Sequence, residues 1–424
     1  MKSMMTKPAR HTTAGIVAAL LSFVFCLHAA ADVRTWTSSD GVRTFEGELL
    51  GYQPESGSVI VLRSDGERLT FDQSVLSQAD IDFLESVGPL APPSTDGDGD
   101  PGRGGDGSEP ADMSRPVQVF ILLGQSNMLG FGETHSNGPG GLGYAVKNEG
   151  LYPFLVDDRG NWRTRKDVRN VFVMQRGGAM NVQHSSWLTI TNRNIGPEIG
   201  IGHHLGNFHD APVMLLKACI GNRSLGWDLL PPGSEQYEYD GRVYAGYKES
   251  PESWEVGEEP EPVDWYAGKQ YDDDIGNAKS VLADLENYYP GATGHEVAGF
   301  FWWQGDKDMR NRAHSARYEK NLVRLIEQLR EDFDAPGAKF VMATLGQTEK
   351  GAGGGEGDLL DAKMAVDGSS GKYPQFEGNV ATVYTHPLSM GGSSGGHYDN
   401  DARTYMNVGL AMGETMVELL TGRR

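Results

Sequence analysis

The sequence predicts an α/β protein, a doubly wound parallel five-stranded sheet with helices on both faces, with a small all-β module ahead of it. Three observations carry this. From Val117 onward short apolar runs alternate with helical patterns, as in a parallel sheet with crossover helices. Residues 32–87 instead alternate residue by residue, as short strands do. Between them, residues 88–116 are rich in Gly, Pro, Asp and Ser and carry no apolar period.

Lys2, Lys7 and Arg10 precede an apolar run from Ala14 to Leu27, followed by Ala29, Ala30 and Ala31. That order of basic, apolar and small residues predicts a secretory signal peptide over residues 1–31, cleaved before Asp32. The run is shorter than the roughly 20 residues of a membrane span, and no later segment reaches that length. The expectation is a secreted or periplasmic protein with no membrane span. Removing the signal takes three of the 37 basic residues and none of the 58 acidic ones, for a formal charge of −24. Such a surface repels phosphate backbones, which excludes nucleic acid as a partner. Cys26 leaves with the signal, so Cys219, in the apolar "LLKACIG", stands alone and is expected to be a packing residue.

Within residues 32–87, "TFEGELLGYQ" and "SVIVLRSDGERLTF" read as strands, with Asp65-Gly66 as a hairpin turn and a closing helix from Ser77 to Val87. The linker's "DGDGDPGRGGDG" invites comparison with a calcium loop. Counted from Asp96, however, the positions needing Gly and Glu hold Pro101 and Gly107. A solvated linker is the reading taken, with weak calcium binding as the alternative.

In the main domain, residues 117–424, five strands are expected: Val117 to Leu123, Val171 to Met174, Val213 to Lys217, Val297 to Trp303 and Phe340 to Leu345. Tyr318, Leu322, Leu325, Ile326, Leu329 and Phe333 keep a 3.6-residue period and predict a helix after the fourth strand. A second helix is expected around Ile275, Ala278, Leu282 and Leu285, and a last one from about Ala402 to Leu420. Residues 233–274 read as a long insertion, with 13 acidic and eight aromatic residues between Glu235 and Asp274. Tyr244, Tyr247, Trp254, Trp265 and Tyr266 suit stacking on sugar rings, or equally pinning the loop to the domain.

In "FILLGQSNMLG", Ser126 lies just past the first strand, at the start of a helix. In a doubly wound sheet ligands bind beyond the carboxyl ends of the strands, and backbone N–H groups at a helix start favour negative charge. A serine there can attack an ester carbonyl while its own N–H helps hold the oxyanion; the bland alternative is an N-cap. Other strand ends carry suitable partners. Gly221 and Asn222 follow the third strand, Gln304, Asp306 and Asp308 the fourth, and His397 lies on a Gly-rich loop before the last helix. His203 and His204 are adjacent, so their side chains diverge by about 100° on a helix, which argues against a metal site. His386 is the rival for the base.

Over roughly Val117 to Leu420 the chain resembles the sialate O-acetylesterase and acetylxylan esterase branch of the SGNH, or GDSL-like, hydrolases, whose fold is flavodoxin-like. The resemblance rests on Gly124-Gln125-Ser126-Asn127-Met128, on "GPEIGIGHHLG" from Gly196 to Gly206, and on Lys217 to Gly221, with Asn222 in place of a second glycine. It rests also on Trp302-Trp303-Gln304-Gly305-Asp306, where the family has Trp-His-Gln-Gly-Glu. The resemblance implies Ser126 as nucleophile and His397 as general base. Ser126 N–H, Gly221 N–H and the Gln304 side chain are the implied oxyanion donors, and Gln125, Asn127 and Asn222 the substrate-binding residues. Many relatives place an Asp three residues before the histidine, where this chain has Ser394. Asp306 is therefore taken as the acid that orients His397, with Asp308, Asp399, Asp401 or a plain Ser-His dyad as alternatives.

No metal or cofactor is implied, and the partner is an acetylated carbohydrate. Residues 32–87 resemble the small β-barrel module related to the Sla-homology domains, which implies binding or tethering, to cell wall or to another protein. Two rivals stand beside the acetylesterase: a non-catalytic carbohydrate-binding protein with a decayed site, and an esterase or lipase for small apolar esters. The acidic insertion predicts poor binding of anionic glycans.

Overall fold

A computed structural model of the protein describes residues 33–54, 57–63, 68–87, 107–191 and 193–424. The chain divides into two units, residues 1–98 and 99–424. In the first, strands Arg34–Thr37, Thr44–Gln53, Ser58–Arg63 and Arg68–Asp72 form an antiparallel meander followed by helix Gln78–Val87. Trp36, Tyr52, Val59, Val61, Leu76 and Leu84 form its core. Buried Asp80 joins helix to sheet, accepting from Arg34 Nη2 (2.6 Å) and Thr37 N–H (2.8 Å). Among the described residues the four strands pair in chain order, and the isolated bridge Ser38 to Leu76 links the chain after the first strand to the chain after the last. The signal segment, Asp65-Gly66 and residues 88–106 of the expected linker lie outside the described residues. Residues 107–116 lie along the second unit, where Gly107 C=O accepts from Lys166 N–H (2.8 Å) and Asp112 N–H donates to Asp210 C=O (2.9 Å).

The second unit is built on seven strands, not the five expected. In chain order these are β1 (Val117–Gly124), β2 (Arg165–Arg176), β3 (Ala179–Leu188), β4 (Val213–Ala218), β5 (His295–Trp303), β6 (Lys339–Ala343) and β7 (Val380–Val383). They lie in the order β7-β6-β5-β1-β4-β2-β3, parallel throughout except for the β2–β3 hairpin. The two extra strands are the edges. β3 follows the turn Gly177-Gly178, both with positive φ, a dipeptide that makes a tight hairpin without Cβ strain. β7 is only four residues long, too short to stand out as a periodic run.

Residues of β1 alternate between two cores. Val119, Ile121 and Leu123 face helices α3 (Lys269–Ala283), α4 (Arg312–Asp332) and α5 (Gly354–Val366). Phe120 and Leu122 face α2 (Glu198–Phe208) and α6 (Ala402–Leu420). Helices on both faces are thus as expected, and β1 is buried on both sides at the centre of the sheet. The chain runs from β1 out to β2 and the edge strand β3, returns to β4 beside β1, and then crosses β1 to build the other side through β5, β6 and β7. The carboxyl end of β1 is therefore the point where the winding reverses, and crossover connections leave a crevice there.

The insertion folds into a three-stranded sheet, Tyr237–Tyr239, Arg242–Tyr244 and Ser253–Glu255, over a small core of Trp227, Leu230, Ala245 and Ala267. Trp254 and Trp265 pack against that core, which is the pinning role.

Candidate active site

The nucleophile turn is fixed by what lies next to it. Gly124 ends β1 at φ 143°, and a Cβ there would stand 2.4 Å from Trp303 O on β5. Only glycine lets the two strand ends approach so closely. Gln125 N–H donates to that same carbonyl (3.3 Å), and Ser126 opens a single helical turn, α1 (Ser126–Leu129). The Ser126 hydroxyl makes no hydrogen bond among the described residues. Behind it, buried Lys217 donates to Leu129 O (2.9 Å) and pairs with Glu198 (2.7 Å), which accepts from Gly196 N–H (3.0 Å). The sequence blocks around Gly196 and Lys217 are thus the struts that hold the turn carrying Ser126.

Gly221 stands beside the serine: a Cβ on it would lie 3.6 Å from Ser126 Cβ. Neither Ser126 N–H nor Gly221 N–H is bonded to another described backbone group, so both donors are open. Asn222, exposed, sits at φ 55°, a conformation asparagine tolerates better than most residues, which explains why it can stand where a glycine is expected.

Gln304 is fully buried, and its amide is already committed. Nε2 donates to Asp308 Oδ2 (2.5 Å) and to Arg223 O (2.9 Å), with Gln125 Oε1 at 3.3 Å. Tyr318 Oη donates to Oε1 (2.8 Å), so every neighbour of the nitrogen is an acceptor and the amide orientation is unambiguous. An amide nitrogen has two protons, and none is left for a substrate oxygen. In this structure Gln304 clamps the Gly221 loop through Asp308 and Arg223 O. Gln125 and Asn127 are likewise buried and do not reach the surface a substrate would meet. Asn127 has both amide atoms unpartnered.

His397 enters a left-handed turn of four non-glycine residues, His397 to Asn400, with φ between 53° and 60°. Backbone strain of this kind persists only where surrounding packing enforces it. The imidazole stacks on Phe131 (3.8 Å between centroids, 4° between planes). Burial lowers its pKa, and the Asp306 carboxylate opposes that by raising it. The turn packs against α1.

Asp306 accepts from Ser394 Oγ (2.8 Å) and pairs with Arg310 (2.8 Å). No hydrogen bond joins it to His397 among the described residues. Two of the rivals are committed elsewhere: Asp401 caps α6 and grips Arg403 (2.6 Å), and Asp308 is buried against the Gly221 loop. Asp306 is the carboxylate whose charge is felt at His397. His386 is held by Gly346 O through Nδ1 (3.0 Å).

His203 is buried and His204 and His209 are half-buried, and desolvation lowers them to about 3, 4 and 4. His203 stacks on Phe154. Cys219 is buried, and burial raises its thiol well above the ordinary value, as a packing residue requires. Lys363 escaped the sequence reading. It is buried on α5, donates to Gln304 O (2.6 Å) and Ala343 O (2.8 Å), and is lowered to about 7 by burial. Its spacing from Leu359 and Val366 puts it on the apolar face of that helix, the signal that would have flagged it.

A cavity of about 330 Å³ opens beside the His397 turn, lined among others by Glu133, Ser136, Asp399, Asn400 and Asp401. Among the described residues no helix is long and apolar enough to cross a membrane.

Residues 116–418 match the family described as carbohydrate esterase, sialic acid-specific acetylesterase (SASA). The chain belongs to this family of carbohydrate acetylesterases. No curated protein matches it. Similar solved structures include a protein of Arabidopsis thaliana, at 16% identity over 72% of this chain and 99% of that one, TM-score 0.41. A carbohydrate acetylesterase of Xanthomonas citri, XAC1771, has 12% identity over 86% of this chain and 61% of that one, TM-score 0.43. NanS has 16% identity over 65% and 79%, TM-score 0.36. The family match begins at residue 116 and does not reach the N-terminal unit.

Within the family frame the departures acquire physical readings. Trp303, where histidine is expected, is fully buried, donates to Thr344 O (3.0 Å) and stacks on Tyr398 (5.7 Å), so it supports the His397 turn from below. Ser394, where many relatives have aspartate, is buried and bonded to Asp306, so the carboxylate comes from the β5 end and the hydroxyl from the histidine loop.

Proposed function

We propose that the protein is an exported serine esterase of SGNH type that removes O-acetyl groups from a neutral carbohydrate through an acetyl-serine intermediate. His397 takes the proton of Ser126 as Oγ attacks the acetyl carbonyl. The tetrahedral oxyanion is held by the N–H groups of Ser126 and Gly221. Collapse breaks the ester bond, and the sugar oxygen leaves with the proton carried by His397. Water, deprotonated by the same imidazole, then releases acetate from Ser126.

The observation that carries the reading is the unbonded Ser126 hydroxyl at the end of the central strand, with Gly221 a van der Waals contact away. The His397 turn against the same helix adds the base. Asp306 acts through its charge and through Ser394, holding the loop that carries His397. A neutral sugar is favoured because the adjoining cavity presents Glu133, Asp399 and Asp401, and its neighbouring cation, Arg193, lies 3.6 Å from Glu133. A sialate or uronate carboxylate entering there meets like charge. Export rests on the predicted signal peptide, and cleavage before Asp32 is read directly by sequencing the N-terminus of the secreted protein.

The test is acetate release from acetylated xylan, an O-acetylated sialic acid and a simple aryl acetate. The reading expects turnover of the first and third, weak turnover of the second, and loss of all three in Ser126→Ala. A second reading, a carbohydrate-binding protein with a decayed site, draws on the absence of a carboxylate bonded to His397 and on the committed Gln304 amide. It expects glycan binding with no acetate released from any ester.

A further inference from the structure

We propose that Asp308 is the positioning residue of the oxyanion pocket, a buried carboxylate that clamps the loop carrying Gly221 to the end of β5 and thereby aims the Gly221 N–H at the substrate. The assignment rests on the esterase reading above, and its geometry is specific. Asp308 is fully buried and accepts from Leu225 N–H (2.9 Å), Gly226 N–H (2.8 Å) and Gln304 Nε2 (2.5 Å). The second proton of that same Gln304 nitrogen goes to Arg223 O (2.9 Å). The loop after β4 is therefore gripped at residues 223, 225 and 226 by one carboxylate and the amide it orients.

Gly221 lies two residues before the first of those grips, and no backbone hydrogen bond of its own fixes it. Tyr318 and Lys363 complete the clamp, one on Gln304 Oε1 (2.8 Å) and the other on Gln304 O (2.6 Å). The loop cannot approach more closely, because a Cβ at Gly226 would stand 2.4 Å from the His314 ring. All three hydrogen-bond partners of Asp308 are N–H donors, a set that suits the ionised carboxylate. Burial pushes the carboxyl up to about 6 while those hydrogen bonds hold it down. Nothing in this arrangement reaches a substrate. Asp308 acts through Gln304 and the loop, and it is not the acid that orients His397.

The experiment compares the full-length parent, Asp308→Asn, Tyr318→Phe and Ser126→Ala on an aryl acetate, reading kcat and KM separately together with the affinity of phenylboronic acid. That probe adds to a serine as a tetrahedral anion. Asp308→Asn keeps the shape but turns one acceptor into a donor facing an N–H group. The expected result is a fall in kcat on the order of 10²-fold, as for loss of one oxyanion donor, with KM within about threefold. Boronate affinity should weaken in proportion to kcat/KM, a change that a general loss of packing would not single out. Should Asp308→Asn not accumulate folded, Tyr318→Phe carries the test, with a smaller loss of the same kind expected.

An active parent, an inactive Ser126→Ala and a folded Asp308→Asn with parental kcat and boronate affinity would overturn the assignment and leave the esterase reading standing. So would a Tyr318→Phe variant unchanged in both. A parent that releases no acetate overturns the esterase reading itself.

Discussion

Gly124→Ala places one methyl group at a crowded point, where the ends of β1 and β5 meet. The added Cβ would stand 2.4 Å from Trp303 O and 2.9 Å from Trp303 C. Ordinary contact begins near 3.4 Å, so the ends of β1 and β5 must separate by about 1 Å. That strains the Gln125 N–H to Trp303 O bond, worth about 1 kcal/mol. Forcing φ 143° on alanine adds about 1 to 3 kcal/mol, and overpacking about 1 to 3 more. The sum is on the order of 3 to 7 kcal/mol of destabilisation. Because Ser126 and Gln304 sit on the two separating ends, a shift of this size should also cost roughly 10²-fold in turnover of any protein that remains folded. Gly150→Ala is the control, since φ is also positive there and nothing lies within 4 Å of its Cβ. Thermal unfolding and aryl acetate turnover read both variants. A Gly124→Ala protein as stable and as active as Gly150→Ala would refute the argument that this contact fixes the nucleophile turn.

Three further outcomes are expected. Titrated by NMR, His397 should ionise below the ordinary imidazole value, and lower still in Asp306→Asn, because the Asp306 charge is what holds it up. Turnover of Asp306→Asn should fall by less than the roughly 10⁴-fold seen where a triad aspartate bonds the histidine directly, since that bond is not made. His386→Ala should keep parental turnover while His397→Ala loses it, as His386 is held on Gly346 O. Asp308 has a folded pKa of about 6 against 3.8 unfolded. Its proton is bound more tightly in the folded state, so this contribution to stability is present below pH 3.8 and is lost as pH rises through about 6. Denaturant unfolding should therefore show the parent losing about 3 kcal/mol relative to Asp308→Asn across that window, and a difference independent of pH would contradict it.

Much of the fold was legible because a doubly wound sheet writes its central strands as short apolar runs between helical periods. β1, β4, β5 and the α4 face are read from residues such as Val119, Leu216, Phe301 and Leu325, all buried. The edges were not, because an edge strand such as β3 is half-exposed and polar, and β7 is four residues long. At the site, Ser126, Gly221 and His397 announce themselves by position at strand ends and by flanking glycines. The role of Gln304 could not be read in this way. Whether a buried amide faces a substrate or a carboxylate depends on Asp308, four residues on, folding back against the Gly221 loop from the opposite side. A one-dimensional pattern gives residue types and not which of two acceptors takes a proton. Asp306 is similar: its partner Ser394 is 88 residues away in sequence.

The central claim is that Ser126 carries the acetyl group. The measurement that meets it most directly is mass spectrometry of the protein quenched in acid during turnover of an aryl acetate, beside steady-state acetate release by Ser126→Ala. The account predicts an acetyl adduct on the peptide containing Ser126 and no acetate released by the variant. An adduct on a different residue, or a Ser126→Ala protein as active as the parent, would contradict it.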